Sequence, residues 1–295
     1  METSKLINPA LTDILRTHVQ ELAGRIGERN GFRPQALGEA AAYIRRTLSA
    51  YGYEVASHPY QALGLSFENL ETRLQGSGGP AAGTLVVGAH YDTAPGTPGA
   101  DDNASGIAGL LELARLLRSS RPRLNIAFTA FATEEPPYFG TELMGSLCYA
   151  KQLHSRSERV IGMVCLEMIG FFSARRGLQR YPAFLKFFFP DRADFIGLVG
   201  NLRSRAFLAR IKDGLKNHLT IPLQHASLPA FVPGVDFSDH RSFWAQGIPA
   251  VMITDTAFYR NANYHRPTDT AETLDYDSMG ALVAALAKTL ERLSQ

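Results

Sequence analysis

The chain has 295 residues, with 30 Lys and Arg against 28 Asp and Glu, a net charge of +2. A hydrophobic fraction of 45% with 20% charged residues supports a large core and argues against wholesale disorder. The near-neutral balance does not suggest a nucleic-acid partner, and two cysteines, Cys148 and Cys165, cannot build a disulfide scaffold or a four-thiolate zinc site.

Apolar residues at helical spacing predict a helix over 10–28 (Leu11, Ile14, Leu15, Val19, Leu22, Ile26) and another over 36–50, closed by Gly52. Extended pieces at 54–60 and 65–74 lead to a turn at 76–83 rich in Gly, Ser and Pro. The run TLVVG at 84–88 reads as a buried strand, followed by a helix over 104–119. A strand at 124–132 (LNIAFTAFA), a helix near 144–153 and a strand at 160–168 (VIGMVCLEM) continue the alternation. Residues 171–200 are aromatic-rich, lack periodicity and are too short for their own core, so they read as a lid or insertion. A strand at 250–254 (AVMIT) and a helix over 279–293 close the chain. Alternating strands and helices predict one α/β domain over 1–295, with a mixed, mostly parallel central sheet flanked by helices. No run of about 18 apolar residues exists, and the first twenty residues hold no leader-like apolar stretch. The expectation is a cytoplasmic protein with no membrane partner; no feature indicates its oligomeric state.

Ligands of such sheets bind at the carboxyl ends of the strands, and five chemistry-bearing segments fall there. His90 and Asp92 follow the TLVVG strand; in extended chain they point the same way, and a carboxylate beside a histidine fixes the tautomer of a metal ligand. Asp101, Asp102 and Asn103 precede a helix, where they could equally cap it. The same segment holds the sequon Asn103-Ala104-Ser105, read as accidental because of its neighbours. Glu134 and Glu135 follow a buried strand, so one carboxylate could bind a metal while the other stays free as a base. Glu167 lies in an apolar run, where an unpaired carboxylate is costly. His265 sits in the loop between the last strand and the last helix. Singly, each has an ordinary explanation as a cap, an ion pair or a solvated loop residue. Jointly, two histidines and three carboxylates suit a pair of zinc-like ions with one carboxylate bridging them.

These segments resemble peptidase family M28, the co-catalytic zinc aminopeptidases. The matching motifs are GAHYDT (88–93), GADDNASG (99–106), ATEEP (132–136), LEMIG (166–170), SDHRSFW (238–244) and NYHRPTDT (263–270), in the family's order and spacing. The resemblance implies two zinc ions, one held by His90 and Glu167, the other by His265 and Glu135, with Asp102 bridging. Many members carry Asp where this chain has the longer Glu167. It further implies a cis peptide between Asp102 and Asn103, Glu134 as general base, Tyr264 as a hydrogen-bond donor to the oxyanion, and Asp92 as the partner of His90. The implied substrate is a peptide or amino-acid derivative cleaved beside a terminal residue.

Two alternatives stand beside the aminopeptidase reading: a glutaminyl cyclase, which shares the fold and uses a single zinc, and a non-catalytic binding domain of the family. A zinc peptidase with a large lid domain is disfavoured, because 171–233 is too short to supply it. Asp191, Asp194, Asp236 and Asp239 are candidates for holding a substrate amine. His240 and Phe195 are further pocket candidates, although His240 equally suits a structural role. The run Phe187-Phe188-Phe189 suits either an apolar pocket or packing of the lid onto the body, and Arg175, Arg176 and Arg180 either a substrate carboxylate or solvent.

Overall fold

The computed structural model describes residues 9–182 and 184–293. Among the described residues ten strands form: β1 (Ala56–Ala62), β2 (Leu65–Leu74), β3 (Thr84–His90), β4 (Asn125–Phe131), β5 (Val160–Glu167), β6 (Ser173–Arg176), β7 (Arg192–Ala193), β8 (Ile196–Gly200), β9 (Leu223–Ser227) and β10 (Ala250–Thr254). Eight of them make one sheet in the order β1-β2-β4-β3-β5-β10-β8-β9. The four at its centre, β4, β3, β5 and β10, run parallel, while β2 pairs antiparallel with β4 and β8 antiparallel with β10. The α/β class with a mostly parallel sheet is therefore as expected.

The helices are α1 (Pro9–Val19), α2 (Pro34–Ala50), α3 (Gly79–Ala82), α4 (Gly106–Leu117), α5 (Gly145–Ser155), α6 (Arg205–Lys216), α7 (His240–Ala245) and α8 (Tyr276–Leu293). Their packing follows from strand alternation. Leu85, Val87 and Ala89 of β3 join the core that contains residues of α1, α4 and α8, while Val86 joins the opposite core with Tyr149, Leu153 and Phe243 of α5 and α7. Both sheet faces are thus covered, which is why β3, β4 and β10 are buried along their whole length. No helix among the described residues is long and apolar enough to cross a membrane.

Two elements differ from the sequence reading. The helix expected over 10–28 is α1 followed by a wider π-helical stretch, Gln20–Ile26, which stops at Gly27 with φ 76°. The 171–200 segment divides: β6 and β7 form a small separate ribbon, whereas β8 is a strand of the main sheet. Five residues, IGLVG, are too few for a legible period, and it is pairing with β10 that makes them a strand. β9 and α6, in a stretch the sequence left unassigned, extend and cover this side.

From β3 the chain crosses to β4 on one side and then to β5 on the other. That reversal of strand order opens a crevice at the carboxyl ends of β3, β4 and β5.

Candidate metal centre

His90 and Glu167 are the last residues of β3 and β5, and Glu134 and Glu135 lie just past β4. Asp102 comes from a kinked turn before α4, and His265 from the loop after β10. Backbone conformations rare for side-chain-bearing residues aim these groups inward: Thr133 before Glu134 has φ 57°, Met168 after Glu167 has φ 47°, and His265 itself has φ 56°. The Asp102–Asn103 peptide is cis. Gly99 opens the turn at φ 62°, where a Cβ would come within 2.2 Å of the Asp102 carbonyl oxygen.

The five side chains converge in two groups that share Asp102. His90 Nε2 is 3.3 Å from Asp102 Oδ1 and 3.3 Å from Glu167 Oε2. His265 Nε2 is 3.1 Å from Asp102 Oδ2 and 3.3 Å from Glu135 Oε2. The ligand atoms within each group lie within 4.8 Å of one another. Each oxygen of Asp102 therefore faces a different histidine-carboxylate pair.

The surroundings hold this arrangement rigidly. Asp92 Oδ1 is 3.4 Å from His90 Nδ1, and the Asp92 carboxylate accepts the backbone N–H groups of Glu134 at 3.2 Å and Glu135 at 3.1 Å. Asp92 thus orients one imidazole and anchors the Glu134–Glu135 turn together. Ser238 Oγ donates to Glu167 Oε2 at 2.7 Å. The fully buried Asn103 amide donates to Leu166 O and accepts from Gly106 N and Met168 N, so the sequon is spent inside the protein. Asp269, four residues after His265, accepts from the backbone of Asp101 at 2.9 Å and of Asp102 at 3.1 Å, joining the two loops. The sequence reading passed over Asp269, and its signal was its place in the NYHRPTDT motif.

Burial dominates the electrostatics. It pushes the Glu134 carboxyl well above the usual range, helped by Glu135, Glu167 and Asp239. It lifts Glu135 to about 7, with Asp102 adding to the rise. Asp102 falls well below the range despite burial, because His265 and His90 stabilise its charge. The carboxylates in turn hold His265 up at about 10, against the effect of burial. So many carboxylates around two imidazoles form a field that attracts protons or cations.

Of the ligand atoms, His90 Nε2 and Glu135 Oε1 are buried with no hydrogen-bond partner among the described residues. One histidine nitrogen and two carboxylates per group match the donor chemistry of zinc. The residues fit the metal.

An apolar cavity, partly open to solvent, lies beside the centre. Glu167 and Tyr264 line it on the metal side, and Phe195, Leu198, Val232, Phe237, Met252 and Phe258 supply most of its apolar wall. Tyr264 stacks on His265 with ring centroids 3.8 Å apart. Of the pocket candidates, Phe195 belongs to the wall, but Asp239 and His240 do not line it. Both are fully buried; His240 Nε2 donates to Val235 O at 2.8 Å and its ring packs edge-on against Trp244. Asp191, Asp194 and Asp236 are also absent from the lining. Phe189 lines the cavity, whereas Phe187 and Phe188 are exposed, as are Arg175, Arg176 and Arg180.

The model of peptidase family M28 matches residues 69–290, well over half of the chain. YfbL of Escherichia coli (strain K12) is 40% identical over 280 residues, covering 91% of this chain and 84% of its own length. A Pyricularia oryzae protein named a probable zinc metalloprotease is 29% identical, covering 96% of this chain; this chain spans 60% of that relative. The LapA aminopeptidase of Legionella pneumophila superposes with a TM-score of 0.75 at 20% identity, over 100% of this chain and 75% of LapA, a likeness of fold.

Proposed function

This chain belongs to peptidase family M28 and is a hydrolase, and we propose that it is a two-zinc aminopeptidase with a preference for bulky apolar N-terminal residues. The observation that carries this reading is the two-sidedness of Asp102, whose oxygens face His90 with Glu167 and His265 with Glu135. His90, Glu167 and Asp102 would hold one ion, and His265, Glu135 and Asp102 the other. Bound there, zinc supplies a Lewis acid and makes water acidic enough to ionise near neutral pH.

The chain's own residues do the rest. Glu134, buried beside the groups that would hold the ions, accepts as a carboxylate the proton of the attacking water and passes it to the leaving amine. Asp92 keeps Glu134 at its post through the backbone and keeps His90 in one tautomer. Tyr264 lies at the junction of cavity and centre, and its hydroxyl donates to the carbonyl oxygen as negative charge develops on it. The apolar wall takes the substrate side chain, and the absence of Arg and Lys from the lining disfavours a substrate carboxylate there.

Zinc content by mass spectrometry, with turnover of aminoacyl-p-nitroanilides, N-blocked peptides and N-terminal glutamine peptides, tests the proposal. Two ions per chain and hydrolysis of unblocked apolar substrates are expected. One ion with pyroglutamate formation would replace the reading by that of a cyclase, and no turnover with any substrate by that of a binding domain.

A further inference from the structure

Arg29 lies outside the family-matched segment 69–290, between Gly27 and the start of α2, and is fully buried. All the acceptors of its guanidinium are backbone carbonyls. Nε donates to Tyr91 O at 2.7 Å, Nη1 to Pro98 O at 2.7 Å, Gly27 O at 3.0 Å and Leu22 O at 3.3 Å, and Nη2 to Gly99 O at 3.0 Å. Its backbone completes the tie: Arg29 N donates to Thr93 Oγ1 at 3.2 Å, and Thr93 N donates to Arg29 O at 2.9 Å.

The identity of those carbonyls matters. Tyr91 stands between His90 and Asp92. Pro98 and Gly99 form the turn that delivers Asp102. One planar fork therefore gathers the two turns that supply His90 and Asp102, from a helix end that contributes no ligand. A buried guanidinium bonded only to carbonyls is not an ion pair, and what it contributes is orientation. It also places a positive charge where Asp92, Asp269, Asp102 and Glu135 all favour it.

We propose that Arg29 is a positioning residue for the metal centre, clamping the 91–93 and 97–99 turns so that His90 and Asp102 face the same ion. The inference rests on the two-zinc reading. A lysine would keep the charge but concentrate its donors at one point, so it could not span both turns.

The test compares zinc affinity, by competition with a chromogenic chelator, and the absorption spectrum of the cobalt-substituted protein. The samples are wild type, Arg29→Lys, Thr93→Val and Leu15→Ala. Leu15 is buried in α1 and serves as a control for general destabilisation. Arg29→Lys is expected to weaken zinc binding about 10–100-fold, as loss of a ligand's supporting partner does. It should also alter the cobalt spectrum and lower kcat more than it raises KM. Thr93→Val, which loses one tie to Arg29, should show a smaller loss in the same direction, and Leu15→Ala should lower Tm with zinc affinity unchanged. Arg29→Lys indistinguishable from wild type in affinity and spectrum would overturn the clamp, as would an equal affinity loss in Leu15→Ala. If Arg29→Lys does not fold, an unchanged affinity in Thr93→Val overturns it. Wild-type protein that binds no zinc would overturn the two-zinc reading and the clamp with it, which separates the two failures.

Discussion

Two clusters of buried charge sit on the same sheet, and they are built in opposite ways. In the first, Glu71 on β2 meets His58 at 3.0 Å and the Tyr149 hydroxyl at 2.7 Å, and Arg73 reaches both Glu71 and Glu158. Burial alone would raise the Glu71 carboxyl, but His58, Arg73 and Tyr149 outweigh it and hold the group down at about 2. In the second, at the strand ends, burial and neighbouring carboxylates push Glu134 and Glu135 up. Arg73 supplies a permanent countercharge to Glu71 and Glu158, which makes the first cluster part of the scaffold. Carboxylates crowded beside a cavity, with protons standing in for the missing charge, mark a place prepared for a cation.

Removing the cation should separate the clusters most. Exhaustive chelation is expected to abolish turnover, and zinc restored at about 100 times its Kd should stabilise the fold by about 2.7 kcal/mol in a thermal melt. A protein that keeps full activity after chelation would remove the distinction altogether. Glu134→Gln should lower kcat by about 10²–10⁴-fold while zinc content and Tm hold, because in the proposed mechanism it deletes the proton carrier and little else. Asp92→Asn retains at most one carboxylate-like acceptor for the Glu134 and Glu135 amides, and should cost about 10–100-fold in zinc affinity or turnover.

Glu71→Gln should do the reverse, losing about 1–3 kcal/mol of stability with kcat/KM at neutral pH unchanged. Its pH dependence follows from the depressed folded-state value. The contribution of Glu71 is present above the ordinary carboxylate range near about 4.3 and is lost as pH falls toward about 2. Acid unfolding of Glu71→Gln, followed by circular dichroism, should therefore be flatter across that window than that of wild type. The smallest effect is expected from Phe258→Ala at the cavity rim. It should reduce the preference for leucine over alanine p-nitroanilides by about tenfold and leave zinc binding intact.

The strand-end residues were legible because each broke a local rule: Glu167 in an apolar run, paired glutamates after a buried strand, a histidine closing TLVVG. The five candidate ligands came from five separate stretches of chain, and the structure brings them within 4.8 Å in two groups. The pocket was far less legible. Phe195 could be named, but Asp239 and His240 are buried outside the lining, and much of the wall comes from β8, β9 and 232–237, segments with no readable period.

By itself, the sequence determined which side chains carry charge at the ends of the parallel strands, since hydrophobic run length and the cost of a stranded carboxylate are local properties. Only the tertiary structure decided which backbone groups hold those side chains. Arg29 and Asp269 act on carbonyls and amides of residues far along the chain. Every residue type presents those same backbone groups, so the pattern of side chains does not show which of them Arg29 and Asp269 engage.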